Sequence, residues 1–157
     1  MNWETGTAIV TAIVALYGAG LSTYILIANR KEKQRQLSVS FSTGSLTYGT
    51  ELSPQMLFIN ITNPGNRAVT IYSPSIKLPD SRQMFFRDPQ QADVGFPHEL
   101  KEGKNCRVWI EMKELAMQLA AEGYPGKVHL SAKVEDATGK SYKSKGSWKL
   151  DLNKWVK

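Results

Sequence analysis

Chemistry-bearing side chains are scarce in this chain. There is one cysteine, Cys106, and there are two histidines, His98 and His129. A single cysteine makes no disulfide within the chain and no cysteine-based zinc cluster. The histidines stand in no HxH or HxxxH spacing, so they offer no metal pair. There is no GxSxG elbow, and no serine or cysteine is paired with a histidine in sequence. These absences remove the common motifs for metal and nucleophilic chemistry.

Positive charge is missing from one end. All 20 Lys and Arg residues lie at or after Arg30, and the one acid before it is Glu4. The whole chain has net charge +6, so with Glu4 set aside the residues from Arg30 on carry +7. In its place stands an apolar run. Residues 5–29, TGTAIVTAIVALYGAGLSTYILIAN, carry no charge. A hydrocarbon core needs about 20 mostly apolar residues as a helix. At about 1.5 Å per residue the run reaches roughly 37 Å, enough to span with some tilt. Its hydroxyls can bond the helix's own backbone, and Trp3 and Tyr24 suit the two headgroup levels. A signal peptide would need a basic n-region, and its apolar stretch would be about 7–15 residues. A soluble core helix would show a polar face, which this run lacks. The expectation is a transmembrane helix over residues 5–29, behind a short external N-terminus of residues 1–4.

Residues 30–36 form a basic juxtamembrane linker. Arg30, Lys31, Lys33 and Arg35 set the topology, because basic flanks stay cytoplasmic. They also suit anionic lipid headgroups, at about 1 kcal/mol each. The N-terminus is expected outside and the following domain inside. Ala8, Ala12, Ala15, Ala19 and Ser22 recur at spacings of 4, 3, 4 and 3. That is a seam of small side chains for association with a copy or another helix.

Residues 37–157 change period. Alternation of apolar and polar residues predicts strands over 37–42, 56–62, 68–72, 83–87, 105–112, 127–134, 141–145 and 148–152. Pro74 makes residues 75–78 an edge piece or a continuation after a bend. Asn63-Pro64-Gly65-Asn66 is a turn signal, and Asp136-Ala137-Thr138-Gly139-Lys140 is a hairpin loop. Residues 88–103 have loop composition. Leu115 and Leu119, with Ala116 and Ala120 beside them, predict a helix over 113–122 that stops at Gly123. The expected fold is mainly β: an antiparallel immunoglobulin-like β-sandwich with one short helix, or alternatively a small β-barrel.

The segments LFINITNPGNRAVTI, LPDSRQMFF, RVWIEMKELAMQLAAEGY and KVHLSAKVEDATGKSYKSK carry a resemblance. In this order they are similar to those of small, uncharacterised bacterial or phage-borne membrane-anchored proteins with an immunoglobulin-like domain. The resemblance covers residues 38–150. Its motifs are turn and core motifs, so it implies a fold and carries no catalytic residue; the apolar run and its basic flank give the expected location, the bacterial inner (plasma) membrane.

The remaining motifs point away from catalysis. Gly139-Lys140-Ser141 lacks the first glycine of a phosphate loop, since Val134 stands there, and a strand rather than a helix follows. Cys106 falls on the inward side of its strand, where a thiol is a small core residue. Lys127, Lys133, Lys140, Lys143, Lys145, Lys149, Lys154 and Lys157 crowd the end of the chain with Tyr142, Trp148 and Trp155. A solvated sheet face, a lipid-docking face and a nucleic-acid face all fit this pattern. The excess of Lys over Arg argues against nucleic acid. Phe96 and Pro97, in a loop expected to be exposed, and Trp155 are candidate partner contacts. So are the edge near Pro74 and the helix over 113–122. No cofactor, metal or small-molecule substrate is implied. The sequence thus predicts a non-catalytic membrane-anchored interaction or assembly module that presents a cytoplasmic β-sandwich to a protein partner. The alternatives are a self-oligomerising small membrane protein of a phage or mobile element, and an exported or periplasmic binding domain.

Overall fold

The computed structural model describes residues 3–32, 35–86 and 91–156. The chain divides into two compact units, Met1–Gln34 and Arg35–Lys157.

The first unit is one helix, α1 (Trp3–Glu32). Thirty residues make a rod of about 45 Å. Its Thr11–Asn29 portion has a mean hydropathy of 1.7 and is long and apolar enough to cross a membrane. A signal sequence near an N-terminus would share that composition. Leu16 and Tyr17 are 75% and 73% exposed. The threonines are satisfied internally: Thr11 Oγ1 donates to the Thr7 carbonyl and Thr23 Oγ1 to that of Ala19, both at 2.9 Å. The helix continues past residue 29, so part of the basic segment expected as linker is helical.

The second unit is mainly β. Its elements are β1 (Ser38–Gly44), β2 (Thr47–Tyr48), β3 (Glu51–Leu52), β4 (Met56–Thr62), β5 (Val69–Ile71), β6 (Ser75–Lys77), β7 (Gln83–Phe85), β8 (His98–Leu100), β9 (Asn105–Glu111), α2 (Met112–Ala121), β10 (Lys127–Glu135), β11 (Ser141–Lys143), β12 (Trp148–Asp151) and α3 (Leu152–Trp155). β1, β4 and β9 form one antiparallel sheet with β4 central. β11, β10, β6 and β7 follow one another in a second sheet, and β12 also pairs with β10. β2 pairs with β3, and β5 with β8. Among the described residues no sheet closes into a barrel, so the barrel alternative is not the fold.

Both main sheets contribute to one core. Leu57, Ile59 and Ile61 of β4 meet it from one side, and Val128, Leu130, Ala132 and Val134 of β10 from the other. β10 alternates buried and more exposed residues along its length, the period-2 pattern of a strand with one wet face. β4 departs from that pattern, because Phe58 is also buried. Trp109 lies beside its ring at 6.2 Å and the Arg107 guanidinium over it at 5.8 Å. A large aromatic on the outer face recruits its own cover. Met112, Leu115, Ala116 and Leu119 of α2 are buried; the three larger side chains are each worth about 1.5–3 kcal/mol by area removed from water, and the Ala116 methyl about 0.8 kcal/mol.

Three expectations are corrected. Residues 75–78 are not an edge, because β6 lies between β10 and β7. The segment expected as loop over 88–103 contains β8, whose three residues pair with β5. The end of the chain is not all strand: Asp151 accepts from the Asn153 N–H at 3.2 Å and starts α3, as an Asp N-cap does.

Candidate functional site

A groove of about 570 Å³ runs along β7. It is lined by Arg82 through Phe86, by Glu114, Gln118 and Glu122, and by Leu78, Gln91 and Ile110. The sequence builds each wall locally. After β6 the chain turns at Pro79-Asp80-Ser81, where Ser81 has φ 71°. The Leu78 N–H donates to the Arg82 carbonyl at 2.9 Å, and Asp80 Oδ1 accepts from the Arg82 N–H at 3.1 Å. An Asx turn of this kind returns the chain as an antiparallel neighbour. The helix wall ends in a Schellman motif: the Tyr124 N–H donates to the Leu119 carbonyl and the Gly123 N–H to that of Ala120. Gly123 has φ 84°, which glycine adopts without strain.

That ending swings Tyr124 back onto the turn before β7. The Arg82 guanidinium donates to Asp80 at 2.6 Å, to Glu122 at 3.0 Å and to the Tyr124 hydroxyl at 2.7 Å. The Tyr124 hydroxyl in turn donates to Asp80 Oδ2 at 2.6 Å. Arg82 also stands 5.1 Å from the Tyr124 ring centre. The Tyr124 hydroxyl and then the Arg82 guanidinium hold the Asp80 carboxyl down at about 2. These groups are about half exposed, so the cluster orients the groove's end more than it stabilises the fold. Two carboxylates already flank Arg82. Glu114 has no cation among the described residues and accepts from Gln118 Nε2 at 3.2 Å. The groove is therefore net negative in a chain of net charge +6.

Some other strand edges are bridged at single points. The outer side of β1 meets Ser144, and the Lys145 N–H donates to the Val39 carbonyl. The outer side of β9 bridges to Ala92, and Asp93 pairs with Arg107 at 3.1 Å. β5 is bridged at Ile71 to Asp136. β7 has β6 on one side and no strand or bridge on the other among the described residues. Phe85 on this edge is 58% exposed.

The hairpin after β10 is a second polar cluster. Asp136 is buried and accepts from the Thr138 N–H, the Thr138 hydroxyl and the Lys140 N–H. Burial opposes its ionisation, but the bonds from Thr138, Lys140 and Tyr142 win and hold its carboxyl below the usual range. The Tyr142 hydroxyl lies 3.2 Å from both Asp136 Oδ2 and the Arg35 carbonyl, and donates to one at a time. Burial, then the Asp136 charge, push Tyr142 up to about 12. This cluster is satisfied from within and serves as a turn.

The residues singled out in the sequence are dispersed. Phe96 and Trp155 pack partly buried against the core rather than standing free, while Pro97 is exposed. Ala12, Ala15, Ala19 and Ser22 are exposed on α1; the Ala8 side chain lies outside the described residues. So do Lys33 and the side chains of Arg30 and Lys31. Arg35 is exposed, and its carbonyl is also reached by Lys140 Nζ at 3.3 Å. Cys106 is buried, and burial followed by the Asp93 charge pushes its thiol up to about 11. His129 Nδ1 is 3.3 Å from Ser147 Oγ. Among the described residues no group of three His, Cys, Asp or Glu side chains is placed to hold a metal. Lys127 pairs with Asp151 at 3.9 Å and Lys133 with Glu135, so the basic face is partly neutralised. The sequence reading missed the groove. The four-residue spacing of Glu114, Gln118 and Glu122 was its available signal, as a polar stripe beside the buried one.

No family model and no curated protein matches the chain. Among solved structures, it is similar to a protein described as ApaA from Bordetella pertussis, at 15% identity, with 76% of this chain and 95% of that one covered and a TM-score of 0.39. It is also similar to the secreted serine protease VesC from Vibrio cholerae, at 12% identity, 74% and 23% coverage and a TM-score of 0.37. A third, the structural genomics target SoR45, shows 10% identity, 76% and 88% coverage and a TM-score of 0.30. None of these similarities assigns the chain a fold family or an activity.

Proposed function

We propose that this chain is a non-catalytic, membrane-anchored interaction module. In this reading α1 crosses the bacterial inner (plasma) membrane once, with the N-terminus outside. Residues 37–157 form an immunoglobulin-like β-sandwich on the cytoplasmic side that engages a protein partner. The observation that carries the reading is the β7 edge, which has no second strand or bridge among the described residues and lies beside a groove with acidic side chains. Open strand edges are uncommon in soluble proteins because they pair with other chains, and binding domains use them for that purpose. Arg30, Lys31, Lys33 and Arg35 after the apolar run support the orientation. Two antiparallel sheets that share one core support the sandwich.

The test is photo-crosslinking of the full-length protein in membranes, with a photoreactive residue at Phe85 and a control at Lys149. A protein adduct formed from Phe85 and not from Lys149 is the expected result. No heterologous adduct from either position overturns the reading. A C-terminal fusion to a fluorescent protein that matures only in the cytoplasm should fluoresce; a dark, full-length fusion reverses the orientation.

A further inference from the structure

Successive side chains of a strand point to opposite faces. A groove lined by consecutive residues from Arg82 to Phe86 must therefore follow the edge of β7 rather than either face. β7 itself has three residues, Gln83–Phe85; with Arg82 and Phe86 on either side, the lining stretch covers roughly 13–17 Å at about 3.3 Å per residue. Glu114, Gln118 and Glu122 span just over two helical turns, about 12 Å. The two walls match in length and leave room for about four residues of extended chain. The α2 lining is acidic, Leu78 and Ile110 are apolar, and Phe85 stands exposed on the strand.

We infer that this groove binds an extended segment of a partner protein as an added strand on β7, with basic side chains turned to α2 and apolar side chains beside Phe85. The inference rests on the protein-interaction reading above and names the chemistry of its partner. A Lys or Arg suits the inward positions, because its aliphatic stem covers Leu78 and Ile110 while its head reaches Glu114. An apolar side chain at the alternate positions pairs across the strands with Phe85. A second copy fits less well. Its Met84 and Phe86 are packed against its own core, and its Arg82 is already held by Asp80 and Glu122.

The probes are end-blocked, fluorescein-labelled Val-Lys-Val-Lys-Val and Val-Glu-Val-Glu-Val. Two further lysine probes carry N-methyl groups on the Val or on the Lys peptide nitrogens. Binding to the full-length protein in zwitterionic micelles is read by fluorescence anisotropy. The lysine peptide should bind at least about tenfold tighter than the glutamate peptide, since like charges beside Glu114 repel. One N-methyl pattern should abolish binding and the other leave it within about threefold, because only alternate N–H groups face the added edge. Glu114→Gln, an exposed change, should weaken the lysine peptide about fivefold. Equal binding of the two charge types, or indifference to both methylation patterns, overturns the inference. So does a concentration-dependent dimer that cross-links through Phe85, because the occupant is then a copy. If neither peptide binds while Phe85 still captures a partner, strand addition fails and the interaction reading stands. If Phe85 captures nothing as well, both fail.

Discussion

The helix α1 and the β domain reach their order by opposite routes. In α1 the backbone satisfies itself, residue by residue, and over residues 11–27 the side chains are exposed on every side. Leu16, Tyr17 and Tyr24 are each more than two-thirds exposed. In the β domain the strands are satisfied by partner strands, most of them distant in sequence. Val39 needs Ile61 across the sheet, and Val128 needs Leu150. A helix can therefore stand in an apolar solvent without tertiary contacts, while strands exist only as neighbours. The difference teaches where substitutions should hurt, and where they should be silent.

The largest contrast is between two apolar truncations. Ile59→Ala empties a fully buried site on the central strand and should cost about 2–5 kcal/mol. Leu16→Ala should leave the domain's unfolding midpoint unchanged. Denaturant titration of the detergent-solubilised protein, followed by near-UV circular dichroism, compares them; equal effects would break the division into two units. Next is the hairpin. Asp136→Ala leaves the Thr138 and Lys140 N–H groups without their acceptor in a buried turn and should cost about 1.5–3 kcal/mol in the same titration.

The helix has its own test. Replacing Ala12, Ala15 and Ala19 together by Leu should abolish any oligomer formed along the small-residue side, as read by mass in detergent, with domain stability unmoved. Unchanged oligomers would assign self-association, if present, to another surface. The smallest effect concerns pH. Asp80 has its carboxyl lowered from 3.8 to about 2, so the contact with Arg82 and Tyr124 contributes fully above about pH 4. It is lost as pH falls through about 2, and the low-pH state is the less stable one. Tyr124 ring shifts in NMR should stay constant from pH 7 to 4 and move only below 3. Movement near pH 4 would mean that the cluster does not form in solution.

Legibility followed the range of the interactions. Strands β9 and β10 could be placed from alternation alone, because each has one face in the core over seven or more residues, and β4 from alternation broken only at Phe58. β8 could not be placed. It has three residues, and its segment is rich in turn formers; only its pairing with β5 makes it a strand. Phe58 broke the alternation for a reason that lay on another strand, at Trp109. The candidate site was hidden in the same way. Both walls lay inside elements the sequence predicts, but their juxtaposition joins residues 82–86 to residues 114–122.

What the sequence by itself determined is what depends on neighbours in the chain. An uncharged run of 25 residues at 5–29 makes a self-sufficient apolar helix, because its hydrogen bonds close four residues apart. Gly123 ends α2, and Asp136 builds its turn, within five residues of themselves. Only the tertiary structure decided which strand became the open edge. Pro74 left residues 75–78 as either an edge piece or a continuation after a bend; β7 folds back against Ser75, Ile76 and Lys77 and takes the edge. Edge and centre are properties of the whole sheet, set by which strand finds a partner on each side, and no local pattern encodes them.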